Sequence, residues 1–386
     1  MKFLRGFSWT MFLSMLALVA LGTVAIYSAG NARAEAVFHG MWRVNLATAV
    51  GALALYLLLA FLDYRRYLKW TALPGYIVSL GFLTLVLLVG DKVYGGRRWL
   101  WFFQPREIAK LAVIALFAWV FGRERPWLGR GFKAFLLSAA LLAVPAALIL
   151  AEPDLGTALT LVPAVLLLLF AAAVWRSGLT VALAAACVLA LGVFGAVRLA
   201  DAPGTSAERR AAILKVVPLK EHQLRRVRVF LSPESDPTGA GYNLRQAKIS
   251  IGSGGFRGKG VGKGDANHLK YLPQAISMND FIFCVFAEEN GFVGSVVLLA
   301  LFGALLCAAA RIASVAVEAT GQLFALGFST LVFAHVFINI AMSIGLVPIT
   351  GLPLPFISAG RTFLVTVMAG FGIIQSIAIH GRSKST

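Results

Sequence analysis

Three carboxylates mark this chain as one that does chemistry. Asp280 stands in "MNDFIF" (278–283), at the threshold of a long apolar run that begins with Phe281, Ile282 and Phe283. Glu107 opens another apolar run in "QPREIAKLA" (104–112), and Asp154 lies in the tight turn "EPDLGT" (152–157). An acid inside a membrane span costs about 2.5–3.5 kcal/mol on insertion scales, so each needs a reason to be there. Asp280 reads as a helix cap, as a proton or ion relay, or as the general base of an enzyme. Glu107 and Lys110 are three apart and share a helix face, which makes them a pair that orients a site. Arg97, Arg98 and Arg106 crowd into one short loop, "DKVYGGRRWLWFFQPRE" (91–107). Guanidinium groups collected there hold an anionic ligand, or else touch anionic lipid headgroups.

The elements that position these groups are membrane helices. Of 386 residues 59% are hydrophobic and 13% charged, against roughly 25% charged in soluble domains. The chain is therefore all-α and polytopic. At about 20 apolar residues per crossing, it has about ten spans: 9–29, 41–62, 70–90, 107–121, 133–151, 156–174, 177–200, 281–310, 321–345 and 356–379. The first is a retained helix, since it is long enough to span and lacks a cleavage site. Lys and Arg of the short loops place both termini in the cytoplasm. The exceptions held outside are Arg33, Lys92, Arg97, Arg98 and Arg106. On this topology Glu107, Asp154 and Asp280 share the outer face. A net charge of +18 belongs to topology and headgroup contact, not to nucleic acid. Cys187, Cys284 and Cys307 lie in apolar runs and draw neither a disulfide framework nor a zinc site.

We expect a single membrane domain over 1–386. Helices 1–7 occupy 1–200, an extracytoplasmic loop 201–279, helices 8–10 280–379, and a cytoplasmic tail 380–386. The loop carries "AERRAAILKVVPLKEHQLRRVRVF" (207–230), which reads as an interfacial helix or a solvated loop. It also carries "GSGGFRGKGVGKG" (252–264). No Ser or Thr follows its Gly-Lys and no strand precedes it, so it reads as a flexible turn and not as a nucleotide loop. Glu288, Glu289, Asn290 and Gly291 mark a helix break or a polar groove.

Taken together these stretches resemble the SEDS family (shape, elongation, division and sporulation). The motifs are "GGRRW" (95–99), "QPREIAKLA", "EPDLGT", "SPESDPTGAGYNLRQAKISIGSGGFRGKG" (232–260), "LPQAISMNDFIFCVFAEENGFVG" (272–294) and "GLPLPFISAG" (351–360). They run in order over nearly the whole chain, and their wording looks more like the elongation branch than the division branch. The resemblance implies a ten-helix bundle with a large external loop between helices 7 and 8. It also implies a glycosyltransferase that polymerises lipid II at the outer face of the bacterial cytoplasmic membrane.

By the same resemblance Asp280 matches the family's essential aspartate, with Glu107 and Asp154 beside it as catalytic acids. Arg98 and Lys110 match family positions and join Arg97 and Arg106 as substrate-binding groups. Two departures stand out. The approach to Asp280 is longer than the family's, and the family's "SYGG" is "SAGR" here, with Ala359 and Arg361.

Asp280 as general base takes the proton of the acceptor hydroxyl. The leaving pyrophosphate needs charge stabilisation from the arginines, or from a divalent cation (magnesium or manganese) held by carboxylates. No other cofactor is expected, and the metal ligands stay unassigned. Attack without a covalent intermediate inverts the anomeric centre. Expected partners are lipid II and the lipid-linked nascent glycan, a class B penicillin-binding transpeptidase and the elongation machinery. The competing classes are a lipid II flippase and a scaffold without catalysis.

Overall fold

The computed structural model describes residues 6–31, 36–93, 96–101, 103–123, 126–152, 154–202, 204–217, 219, 221–265 and 273–381. Lys2, Arg5, Arg33 and Arg125 of the charge pattern, and positions 382–386 of the tail, lie outside them, as do Gly95 and Pro153 of the motifs.

The helices follow the apolar runs. They are α1 (Trp9–Asn31), α2 (Met41–Phe61), α3 (Tyr64–Val89), then strands β1 (Asp91–Val93) and β2 (Gly96–Trp99), α4 (Pro105–Phe121), α5 (Phe132–Ala151), α6 (Leu155–Ala171) and α7 (Arg176–Ala200). The connecting region forms α8 (Ala207–Val216), α9 (Glu221–Leu231) and α10 (Ala240–Ser253), before α11 (Ile282–Val315), α12 (Ala319–Ser343) and α13 (Arg361–His380). Eight of these are long and apolar enough to cross a membrane. The two short spans, α4 and α6, have 17 residues each, about 25 Å of helix at 1.5 Å per residue. Arg106, Glu107 and Lys110 lie in the first two turns of α4, and Asp154 caps the start of α6. α12 and α13 form the buried centre; α13 packs on α2, α11 on α1, and α12 on both α4 and α6.

One expectation is decided and one changes. Of the two readings of 207–230 the helical one holds over Ala207–Val216 and Glu221–Leu231: α8 and α9 fold against the end of α7, where Val197, Val217, Leu224 and Val227 make a small core. The glycine-rich stretch is no flexible turn but an ordered strap that follows α10 and locks onto α11. Lys259 and Gly260 donate their N–H groups to the carbonyls of Glu288 and Glu289 (3.0 and 2.9 Å), and Phe292 and Val293 donate back to Gly255 and Phe256. The Glu288 carboxylate accepts from Ser250 Oγ (2.9 Å), Ser253 Oγ (3.2 Å), Lys259 Nζ (2.6 Å) and the Asp265 N–H (2.9 Å). Glu289 accepts from Ser28 on α1.

The break expected at 288–291 is there: Gly291 has φ 65° and ψ −163°, and α11 bends at it. A Cβ at Gly291 would lie 2.3 Å from the Gly258 nitrogen, and its left-handed φ disfavours any L side chain. Gly291→Ala is therefore expected to cost about 2–4 kcal/mol. The check is amide exchange across 252–265, which should lose its protection; unchanged protection would refute the strap's dependence on this residue.

Candidate active site

α4 and α6 bring their N-terminal ends together through one guanidinium. Arg106 Nη1 lies 2.8 Å from Asp154 Oδ2, Nε 3.4 Å from Glu107 Oε1, and Nη2 donates to Gln104 Oε1 at 3.1 Å. Glu107 Oε2 is 2.7 Å from Lys110 Nζ, the pair foreseen from the three-residue spacing. Lys110 Nζ also lies 2.9 Å from His335 Nε2 on α12 and 4.9 Å over the Phe363 ring of α13. Asp154 is the N-cap of α6: it accepts from the Thr157 N–H (3.2 Å) and hydroxyl (2.7 Å). Burial acts to raise its pKa, but Arg106 and the Thr157 bonds outweigh that and hold it below the usual carboxylate value.

The hairpin of β1 and β2 decides which arginines join. Successive strand residues point to opposite faces. Arg98 faces the cluster and donates through Nε to the Glu152 carbonyl (3.1 Å). Arg97 faces away and donates to the carbonyls of Leu87 and Leu88 (2.9 and 2.5 Å), closing the C-terminal end of α3. Those carbonyls are the negative end of a helix and need donors, so Arg97 stands apart from the group it was expected to join.

Asp280 precedes α11 on a segment braced by 351–360. Ala359 N–H donates to the Met278 carbonyl (3.1 Å), and Ser358 Oγ to that of Asn279 (2.7 Å). Asn339 on α12 donates to both Asp280 O (2.9 Å) and Leu352 O (2.6 Å). Gly351, at φ 75°, takes a backbone conformation that L side chains rarely adopt, and a Cβ there would lie in ordinary contact, 3.4 Å, with Asp280 Oδ2. The N-cap of α11 is Phe281, with no side-chain cap, so Asp280 is not spent on capping. Burial lifts its pKa to about 6, with Arg106 and Arg226 pulling it down, Asp154 pushing it up and Arg98 pulling it down. Asp280 thus lies within electrostatic reach of Asp154, Arg98 and Arg106, and of Arg226 on α9.

Arg226, His335 and Asn339 were not expected from the sequence. Arg226 lay in a basic helix with many equivalents and donates to the Thr350 carbonyl (3.2 Å). His335 and Asn339 sit one turn apart in an apolar span, and a polar pair at that spacing in a buried helix was the available clue. Glu152 is the other buried acid of the region, fully enclosed and without a hydrogen-bond partner for either oxygen among the described residues. Burial raises its pKa to about 8. Among the described residues no three His, Cys, Asp or Glu side chains gather as a metal site, and Asp154 and Glu107 already have cationic partners.

The arrangement offers a half-buried, unshared carboxylate poised to accept a proton, beside guanidinium groups that can receive developing negative charge.

Comparison with known proteins gives one consistent answer. The profile of the cell cycle protein family FtsW/RodA/SpoVE matches residues 8–383. The peptidoglycan glycosyltransferase MrdB of Escherichia coli K12 is 35% identical over 97% of this chain and 94% of its own length. The peptidoglycan glycosyltransferase RodA of Treponema pallidum is 30% identical over 96% and 97%. Among solved structures, a chain from work on the structural coordination of polymerization and crosslinking by a peptidoglycan synthase complex superimposes with a TM-score of 0.74. It is 30% identical and covers 96% of this chain and 97% of that one. The rod shape determining protein RodA of Thermus thermophilus gives 0.63 at 28% identity, covering 98% of each.

Proposed function

This chain belongs to the FtsW/RodA/SpoVE family of cell cycle proteins, and from that premise we propose a catalytic assignment for it. It is a multi-pass membrane peptidoglycan glycosyltransferase that polymerises lipid II, with Asp280 as the general base. The observation that carries the assignment is the Asp280 carboxylate, free of capping duty and within electrostatic reach of Arg106.

The step balances simply. The acceptor hydroxyl gives its proton to Asp280 as its oxygen attacks the anomeric carbon of the donor. The bond from that carbon to the pyrophosphate oxygen breaks, and the pyrophosphate leaves with the electron pair. With no covalent intermediate the anomeric centre inverts. Arg98, Arg106 and Arg226 meet the charge of the leaving group. Asp154 and Glu107 fix Arg106, and Lys110 anchors Glu107 to α12, so these are positioning residues. Glu107 and Asp154 are committed to the chain's own cations, so Asp280 is the carboxylate that would hold magnesium or manganese, which would supply charge neutralisation at the leaving pyrophosphate; no step is routed through a metal.

By the Lys and Arg bias of the short loops this site lies at the outer face of the cytoplasmic membrane, with both termini inside. A class B penicillin-binding transpeptidase is the partner we assign, supported by the likeness to a chain of a peptidoglycan synthase complex. The elongation machinery and the lipid-linked nascent glycan complete the set.

The test is polymerisation of lipid II by detergent-purified protein, with and without the transpeptidase. Detergent removes compartments, so a flippase makes no glycan there, whereas an enzyme makes chains. The pH profile adds a second readout. A base with a pKa of about 6 loses activity as it protonates, so the rate should be level above neutrality and fall roughly tenfold per pH unit well below 6. A profile flat down to pH 4.5 would rule out Asp280 as the base.

A further inference from the structure

A cavity opens at the same end of the bundle as Asp280. It measures about 140 Å³ and lies between α2 and the start of α13, lined by Met41, Val44, Asn45, Ala359 and Arg361. None of these belongs to the cluster around Arg106.

Asn45 is 2% exposed, and both its amide nitrogen and its oxygen lack a hydrogen-bond partner among the described residues. An unpaired buried polar group costs about 1–3 kcal/mol. An occupant that both accepts and donates a hydrogen bond satisfies the amide. Arg361 lines the same space and carries a guanidinium that makes no ion pair or hydrogen bond among the described residues. It is also the first residue of a 20-residue helix whose N-cap, Gly360, supplies no capping side chain. An uncapped helix start favours negative charge. The other walls, Met41, Val44 and Ala359, are apolar. At about 140 Å³ the space is well below the roughly 300–1,000 Å³ of pockets that take whole small molecules. It suits a headgroup and excludes a sugar-peptide.

We propose that this cavity binds the phosphate of a lipid, held by Arg361, by the Asn45 amide and by the first turn of α13. The guanidinium and the amide N–H donate to phosphate oxygens. The Asn45 oxygen accepts from a hydroxyl on the headgroup or on a singly protonated phosphate, and the lipid's chain leaves along the apolar wall. Two sources share this chemistry, a phospholipid headgroup and a polyprenyl phosphate. The site stands independently of the catalytic assignment. Arg361 replaces the glycine of the family wording, so the site is a property of this chain.

The experiment is native mass spectrometry of the full-length protein in detergent, titrated separately with phosphatidylglycerol, a polyprenyl phosphate and phosphate-free diacylglycerol. Wild type is compared with Arg361→Gln and Asn45→Leu. Both variants should retain one phosphate lipid fewer per chain, with roughly ten- to hundredfold weaker binding at that site and unchanged diacylglycerol. Loss confined to phosphatidylglycerol assigns the headgroup; loss confined to the polyprenyl phosphate assigns the carrier lipid. Arg361 is exposed, so Arg361→Gln decides the matter even if Asn45→Leu does not fold. Phosphate-lipid binding within twofold of wild type in Arg361→Gln overturns the proposal, as does a parallel loss of diacylglycerol.

Discussion

Asp280→Asn is expected to leave a folded protein that makes no glycan, with lipid II polymerisation reduced by at least about 10²-fold and up to 10⁴-fold. The substitution keeps the side chain's volume and the backbone carbonyl that receives Asn339. It also removes the cost of a partly buried charge, so the thermal midpoint should hold or rise slightly. What it removes is the capacity to take a proton. Asp280→Glu is the informative companion. It keeps the carboxylate but moves it by about one methylene, and misplacement on the 1 Å scale costs about 10²-fold. If Asp280→Asn polymerises at the wild-type rate, the carboxylate is only structural and the base lies elsewhere.

The second large effect belongs to Arg106. Its guanidinium joins two buried acids on different helices, so Arg106→Met strands Asp154 with only Thr157 and leaves Glu107 to Lys110 alone. Breaking a buried ion pair from one side costs about 3–5 kcal/mol. The expected result is a marked fall in thermal midpoint together with loss of polymerisation. Adding Asp154→Asn to Arg106→Met should return much of the stability and none of the activity, because the stranded charge is gone while the leaving group still lacks its guanidinium. The double-mutant cycle makes the two roles separable. A double variant that recovers polymerisation would show that Arg106 serves the fold alone.

Much of this site was legible in the sequence because charged groups in apolar runs are costly and therefore informative. Glu107 and Lys110 announced their pairing by a three-residue spacing, and Asp154 announced a cap before an apolar helix. Asp280 showed its position but not its freedom, since a cap and a base occupy the same place in a helix start. Only the geometry of Phe281 as N-cap separates them. Arg97 and Arg98 are indistinguishable in a run of letters, and the alternation of a two-stranded hairpin sends one to the site and the other to α3. The strap was hidden for a different reason. Glycine-rich sequence signals backbone freedom, and here that freedom permits close approach to the bent α11, where Gly258 and Gly291 meet. Arg226 came from a helix whose other arginines pair locally with Asp201, Glu221 and Asp236.

The partners of α4 also bear on how the protein is made. This helix enters the bilayer with Arg106, Glu107 and Lys110 in its first turns, at about 2.5–3.5 kcal/mol for each cation placed deep in a lone segment. Asp154, which neutralises Arg106, lies beyond α5, and His335, which Lys110 contacts, lies 225 residues downstream. At about 5–20 residues per second of synthesis, the latter arrives some ~10–45 s later. α4 is therefore a dependent segment: Glu107 partners Lys110 within the helix, but Arg106 gains Asp154 only with α6 and Lys110 gains His335 only with α12. Truncated nascent chains ending before α12 should hold α4 loosely, and full-length chains firmly. The site's polar contacts are thus complete only once α12 has been made.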